Sequence, residues 1–194
     1  MPKKVFIVVI FSLSFCINTF AQVNKPNHFI EWTTWTLLQT IPSPTYFHDN
    51  KDNNSRLVFG FKWNVIPFSY SFKMNRLIPK VHLFKVNPLH RHSGSLEVFL
   101  QPELSLKDYT NSGQKRFSFS TGSRLFLPLV EYGEYLSFSI GGKYSFRKDV
   151  SDNNMNAFGL EAGIYSLFGI AGLQFTYNFT KINKYNISLY IKYY

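Results

Sequence analysis

Apolar and polar residues alternate with a period of two along most of this chain. The clearest segment runs from Tyr135 to Arg147, where every second residue from Leu136 to Phe146 is apolar or glycine and the residues between them are Ser, Gly, Lys or Arg. Successive side chains of an extended strand point to opposite faces, so this pattern predicts a strand with one apolar and one polar face. The 3.6-residue period of an amphipathic helix is nearly absent, and we predict an all-β chain.

The same alternation predicts six strands, counted back from the last residue. They are expected near residues 95–106, 115–127, 135–147, 156–166, 170–180 and 185–194. The connections alternate in character, which indicates consecutive antiparallel strands. Segments 107–113, 148–155 and 180–184 are polar, as external loops are, whereas segments 87–94, 128–134 and 167–169 join the strands at the other end.

The first third of the chain allows two strand counts. In one, residues 56–66 are followed by a single long strand through residues 68–87, which gives eight strands. In the other, prolines break this stretch, because proline is poorly tolerated inside a sheet. Residues 29–41 then form the first of ten strands, and residues 42–55 become an external loop. The pattern slightly favours ten.

Composition separates a membrane barrel from a soluble β-sandwich with one wet face. Aromatic residues make up 19% of the chain and charged residues 16%, whereas about a quarter of the residues of soluble domains are charged. The apolar faces carry Phe and Tyr near both strand ends, as the aromatic girdles of a membrane barrel do. We therefore predict an antiparallel up-and-down transmembrane β-barrel of 8–10 strands, with the sandwich as the alternative. Glycines on the polar faces suit a narrow, strongly curved barrel: Gly122, Gly141, Gly159, Gly163 and Gly172.

The N-terminus has the features of a secretory signal. Lys3 and Lys4 precede an unbroken apolar run from Val5 to Phe11, and Ala21 provides a small residue for cleavage. The apolar run is shorter than the roughly 20 residues that a membrane-spanning helix needs.

Cleavage after Ala21 makes residues 1–21 a signal peptide and residues 22–194 the mature barrel domain. Lipidation at Cys16 is the less favoured alternative, because the large Phe15 precedes it where a small residue is wanted. Since Cys16 is the only cysteine, cleavage leaves the mature chain without disulfides.

The last ten residues, 185–194, resemble the closing strand of outer-membrane β-barrels, whose C-terminus serves as an assembly signal. The Phe20–Gln22 junction is similar to that of exported proteins of the Bacteroidota. These resemblances imply a small outer-membrane barrel of the Bacteroidota type, with the barrel-assembly machinery as a partner during biogenesis. Alternation along the last strand assigns Ser188 and Lys192 inward. It assigns to lipid the residues Ile187, Leu189, Ile191 and Tyr193.

Charged residues on the polar faces are the first candidates for a functional site. They are Lys62, Glu97, Glu103, Arg116, Arg124, Lys143, Arg147 and Glu161. Ionisable groups at membrane depth are costly, so they mark either a transport path or a lumenal catalytic group, or else pair with one another inside a filled lumen. Their mixed signs and the narrow interior of an eight-strand barrel favour structural pairing.

The densest polar cluster is His90, His92 and Ser93. It offers two imidazoles for a metal or a His–Ser couple for catalysis. Because it follows Asn87-Pro88 and precedes Gly94, a solvated turn is the favoured interpretation. No zinc spacing, nucleotide-binding loop or nucleophile elbow is present, and we expect no metal, no cofactor and no enzymatic activity.

Three functional hypotheses remain. The favoured one is a structural, accessory or partner-binding barrel, as a subunit of a larger envelope complex or alone. The others are a narrow transport pore and a lipid-modifying barrel enzyme. The formal net charge of +10 suits outer-membrane lipid headgroups and lipopolysaccharide phosphates, although a lysine-rich genome composition explains it equally well. The clustered basic stripe of nucleic-acid binders is missing.

Overall fold

A computed structural model of the chain describes most of the sequence beyond residue 27. The described residues are 28–51, 54–72, 80–84, 94–109, 112–130, 135–151, 153–167, 169–180 and 183–192. The predicted signal peptide, residues 1–21, lies outside them, as do the cluster His90, His92 and Ser93 and the last lipid-facing candidate, Tyr193.

One helix and ten strands are described. The helix is α1 (His28–Gln39). The strands are β1 (Ser43–Lys51), β2 (Asn54–Lys62), β3 (Val65–Ser71), β4 (Val81–Leu83), β5 (Ser95–Ser105), β6 (Gln114–Val130), β7 (Leu136–Asp149), β8 (Ala157–Ser166), β9 (Ala171–Asn178) and β10 (Tyr185–Ile191).

The strands close into an eight-stranded antiparallel barrel, as the alternation predicts. β2 and β3 together form one stave, because both pair with β5. The end of β2 pairs with residues 103–105 of β5, and β3 pairs with residues 95–100. From there each strand pairs with the next through β10. β10 pairs with β1 through Thr45 and Ser188, and β1 pairs with β2, which completes the circle. The short β4 adds to the free side of β3 and is not a stave of the barrel.

The two ends of the barrel differ in their connections. The connections β1–β2, β5–β6, β7–β8 and β9–β10 lie at one end, which we call the loop end. The start of β1 and the end of β10 lie at the other, which we call the terminal end. The polar segments 107–113, 148–155 and 180–184 all belong to the loop end, as the sequence predicts.

The ten-strand version was wrong about residues 29–41. Residues 29–39 belong to helix α1 rather than to a first strand, and the apolar residues of this segment do not alternate. The hydroxyls of Thr33 and Thr36 donate to the backbone carbonyls four residues earlier, over 2.7 and 2.8 Å. Such bonds supply a β-branched polar residue with a partner inside a helix.

The external loop predicted at residues 42–55 was also wrong. Residues 43–51 form β1, and residues 54 and 55 begin β2. The polarity of this segment is that of an inward face, since Ser43, Thr45 and Asp49 are fully buried in the barrel. The eight-strand count is therefore right, but its first two staves are β1 and β2–β3 rather than residues 56–66 and 68–87.

The barrel is polar inside and apolar outside. Its inward side chains include Gln101, Ser120 and Ser139, each with no exposed surface. Its outward side chains are large and apolar: Leu173 is 61% exposed, Ile164 55%. A soluble β-barrel has the reverse arrangement, with its apolar residues packed inside.

Inward glycines make room for aromatic rings in the narrow interior. A Cβ added to Gly122 would lie 2.7 Å from Cζ of Phe99 and in conflict with the carbonyl oxygen of Gly142. The ring of Tyr165 occupies the corresponding space at Gly163. Aromatic side chains lying across strand glycines are a recognised way of stabilising curved sheets.

Replacing Gly122 with alanine is expected to lower the free energy of unfolding by about 1–3 kcal/mol, as overpacking does. Gly142 is the matched control, because it faces outward and a Cβ there would lie 3.6 Å from Phe158, an ordinary contact. Gly142→Ala should cost nothing or stabilise slightly. Urea unfolding of both refolded variants measures the difference, and equal midpoints would show that the ring of Phe99 does not need the glycine.

Candidate functional site

The inward charged residues come from five of the eight staves. Lys62 lies on β2, Glu97 and Glu103 on β5, Arg124 on β6, Lys143 and Arg147 on β7, and Glu161 on β8; all of them are buried. Inward parity alone puts these side chains in the lumen. Their pairing is then decided by the stagger of the strands, and they divide into two linked groups.

Arg124 is the centre of the first group, toward the terminal end. Its Nε donates to Oε2 of Glu97 over 3.1 Å, and its Nη1 donates to Oε1 of Glu161 over 3.2 Å. The guanidinium carbon lies 5.1 Å from the ring centre of Phe99 and 5.4 Å from that of Tyr190. Since β10 is the stave diametrically opposite β6, this one side chain spans the lumen. Flat, weakly hydrated guanidinium groups suit such stacked and paired sites.

Glu161 connects Arg124 to a lysine and two amides. Nζ of Lys62 lies 3.9 Å from its Oε2 and donates to Oε1 of Gln174 over 2.7 Å. The amides of Gln101 and Gln174 donate to Glu161 over 3.2 and 3.4 Å, and Gln174 also donates to the hydroxyl of Tyr165 over 2.8 Å. Glu161 therefore has more than one compensating partner.

Glu103 is the centre of the second group, toward the loop end. It pairs with Nζ of Lys143 and lies 3.5 Å from Nη2 of Arg147, and the hydroxyl of Ser118 donates to it over 3.0 Å. Arg147 donates to Ser118 over 2.7 Å and to Gln114 over 3.3 Å. A buried carboxylate needs such compensation, because desolvation of an unpaired charge is costly.

Arg116 is the one predicted lumenal charge that the structure places elsewhere, and the prediction was wrong for it. Its side chain is half exposed, because the pairing of β6 with β7 shifts register between Gln114 and Ser118. It donates to both carboxylate oxygens of Asp108, over 2.6 and 2.7 Å. This hydrogen bonding lowers the pKa of Asp108 below its ordinary value.

The lumenal network also contains neutral residues, which the sequence analysis of charged positions did not identify. Gln101, Gln174 and Tyr165 bridge the charged groups, and Ser139 lies 2.9 Å from the hydroxyl of Tyr165. Their sequence signal was their inward parity, which they share with Glu161 or with neighbouring small polar residues. Residue type gave no indication that they complete the network.

The last strand has the predicted face assignment in its described part. Ile187 and Leu189 are exposed on the outer face, Ile191 is half-buried, and Ser188 and Lys192 are buried. Nζ of Lys192 donates over 2.8 Å to the backbone carbonyl of Asn64 and over 2.8 Å to the side chain of Gln39. The first of these bonds attaches the end of β10 to the β2–β3 stave, and the second attaches it to the last residue of α1.

A cavity of about 230 Å³ lies at the loop end of the lumen, and we call it the loop-end cavity. Glu103, Gln114 and Arg147 form one side of it. Three asparagines form another, namely Asn178, Asn183 and Asn186, and each of them is more than nine-tenths buried. Their Oδ1 atoms accept no hydrogen bond from the residues that the structure describes. Each such unpaired buried acceptor costs about 1–3 kcal/mol.

The described ranges contain no cluster of three or more His, Cys, Asp or Glu side chains arranged to hold a metal ion. Within the part of the chain that the structure describes, none of the helical segments has the length and hydropathy of a membrane-spanning helix.

The fold and the lumen together define the class of this chain: a small, closed, eight-stranded β-barrel with a polar, charge-paired interior and an apolar outer face. No protein-family model, curated protein or solved structure matches it.

Proposed function

We propose that this chain is a bacterial outer-membrane β-barrel with a structural, accessory or partner-binding role in the envelope. The observation that carries the proposal is the apolar outer face. Large apolar residues lie directly opposite one another on neighbouring strands there, as in the row Ile164, Leu173 and Leu189. All three are between 45% and 61% exposed.

An exposed apolar surface that surrounds a barrel is unfavourable in water. Soluble monomers rarely expose contiguous apolar patches of more than a few hundred Å². In hydrocarbon the same surface is favourable, and a closed sheet leaves no unpaired backbone edge there. The surroundings that we propose are outer-membrane lipid and lipopolysaccharide, reached after export by the predicted signal peptide and folding by the barrel-assembly machinery.

A passive structural role is favoured over a narrow pore by the contacts across the lumen. Arg124 reaches the opposite stave at Tyr190, and Lys62 bonds to Gln174 three staves away. Interior charges that line an open pore would contact water, whereas these contact one another. We also propose that the chain is not an enzyme, since the carboxylates of the described lumenal network are paired with buried cations.

Cell fractionation of the full chain, expressed in a Gram-negative host, tests the proposed location. We expect the protein in the outer-membrane fraction, released by detergent and retained through high-salt and urea washes. We also expect the unheated sample to migrate faster in a denaturing gel than the heated one, because a closed barrel resists the detergent. Recovery in the soluble periplasmic fraction, with a single heat-independent band, would refute the proposal.

A further inference from the structure

We propose that a groove on the outer face of β6 and β7, which we call the β6–β7 groove, binds lipid A, the acylated and phosphorylated sugar part of lipopolysaccharide. The inference rests on the proposed function, because lipid A meets this groove only if the barrel lies in the outer membrane. The groove has a volume of about 540 Å³, within the roughly 300–1,000 Å³ of small-ligand sites. It presents aromatic rings, lysines and amides side by side.

Three phenylalanines form the apolar part of the groove. Phe117 and Phe119 lie on β6, and Phe146 lies on β7, all of them near the loop end of these strands. Phe119 and Phe146 pair across the strands with their ring centres 6.4 Å apart, and Phe117 is 58% exposed. Exposed apolar surface of this kind fits the acyl chains of a lipid.

A register shift between β6 and β7 brings Lys115 to the outer face. β6 runs from residue 114 to residue 118 while β7 runs only from residue 149 to residue 147, so β6 takes four steps against two. Lys115, Arg116 and Phe117 are all exposed instead of alternating between the two faces. Bulges re-aim side chains in this way, often beside functional sites. Because Arg116 is paired with Asp108, Lys115 is the cation that the shift contributes to the groove.

Lys115 and Lys148 place two positive charges at one end of the groove. Both are exposed, and each lies two residues from a ring in the direction of the loop end, Lys115 from Phe117 and Lys148 from Phe146. Two residues of extended chain cover about 7 Å, so the charges lie at headgroup depth when the rings lie beside acyl chains. Among the described residues, no carboxylate lines the groove. A phosphate group complements this charge.

Two asparagines and the position of the groove favour lipid A over other phosphate-bearing lipids. Asn154 and Asn156, from the connection between β7 and β8, are exposed and line the same groove. Their amides both donate and accept hydrogen bonds, which suits the hydroxyl and amide groups of an acylated amino sugar. The groove lies at the loop end, whose polar connections are typical of the extracellular side of a membrane barrel. Lipopolysaccharide is the phosphorylated lipid of that leaflet.

Native mass spectrometry of the folded full chain in detergent tests the proposal by counting bound lipids. The probes are a diphosphorylated lipid A, the same lipid A after removal of its phosphates, and phosphatidylglycerol. We expect one molecule of the diphosphorylated lipid A to bind saturably. Each of the other two lipids should bind about tenfold more weakly, since one lacks the phosphates and the other lacks the sugar.

A pair of lysine variants tests where the charge acts. Lys115→Gln combined with Lys148→Gln is expected to weaken the binding of lipid A about tenfold or more. The matched control is Lys107→Gln combined with Lys184→Gln. It removes two exposed lysines of the loop end that do not line the groove, and it changes the net charge equally. The control should leave binding unchanged.

A second comparison tests the aromatic part of the groove. Phe117→Ala is expected to weaken the binding of lipid A about fivefold, because it removes apolar contact area. Phe179→Ala is the control, since Phe179 is 61% exposed at the loop end and does not line the groove. Heat-modifiable migration checks that every variant is folded.

Three results would overturn the proposal. The first is the absence of saturable lipid A binding by a barrel that migrates as folded. The second is an equal loss of binding in the two lysine pairs, which would indicate diffuse attraction to the loop end. The third is binding of phosphate-free lipid A or phosphatidylglycerol as tight as that of the diphosphorylated form. Each of these leaves the cellular location of the protein unchanged, whereas recovery in the soluble periplasmic fraction would refute the proposed function itself.

Discussion

Replacing Arg124 with methionine is expected to cost the barrel about 3–5 kcal/mol of unfolding free energy, a large part of the roughly 5–15 kcal/mol that holds most domains together. The side chain is fully buried and pairs with two fully buried carboxylates, Glu97 and Glu161. Methionine fits among the rings of Phe99 and Tyr190 but brings no charge. Both carboxylates then lose a cation in a place that water does not reach.

Urea unfolding of the protein refolded into phospholipid vesicles measures this effect. Arg116→Met is the matched control, since it removes an arginine from the same strand and breaks a salt bridge to Asp108 that is exposed. We expect it to change stability little, because solvent screens such pairs. Adding Glu97→Gln to Arg124→Met should restore part of the loss. Equal unfolding curves for Arg124→Met and Arg116→Met would contradict the central place that we give Arg124.

Leu173→Arg is expected to destabilise the membrane-inserted barrel by about 1–3 kcal/mol, because a cation on the lipid face costs about 2–4 kcal/mol at the bilayer midplane and less toward the interfaces. Leu173 is the third of the eight residues of β9 and pairs directly with Ile164 on β8 and Leu189 on β10. All three side chains point outward, so the introduced guanidinium finds no carboxylate beside it. In water the same substitution would replace an exposed apolar group by a solvated one and would cost almost nothing.

Val150→Arg is the control for Leu173→Arg. Val150 follows β7 at the loop end and is 71% exposed. Val150→Arg therefore also replaces an exposed apolar side chain with arginine, but outside the apolar band of the barrel. We expect the two variants to differ by about 1–3 kcal/mol in vesicles. If both variants unfold at the same urea concentration, the outer face of β9 does not contact hydrocarbon.

Alternation was sufficient to predict the barrel from β5 onward. The faces of β7, β9 and β10 follow from parity because one side of each strand meets a polar lumen and the other does not. The prediction for the first third of the chain was wrong for a related reason. Most inward residues of β1 are as polar as those of a loop, and Pro44 lies inside the strand. The segment therefore lacks the alternation of apolar and polar residues that predicts a strand.

The lumenal network could be predicted in part. Parity identified which charges point inward, but not that Arg124 on β6 would meet Glu161 on β8 rather than another carboxylate. That pairing depends on the stagger of strands two positions apart, which no local pattern encodes. The register shift before Ser118, which turns Arg116 outward, is likewise a property of the β6–β7 pair rather than of either sequence segment.

The most direct measurement of the central claim is the quenching of a probe at position 173 by brominated lipids. A Leu173→Cys variant in a Cys16→Ser background is labelled with bimane and refolded into vesicles whose acyl chains carry bromine at defined depths, with Val150→Cys as the comparison. We predict strong quenching at position 173 by bromines on the acyl chains, and little quenching at position 150. Equal, weak quenching at both positions, with position 173 accessible to aqueous iodide, would contradict it.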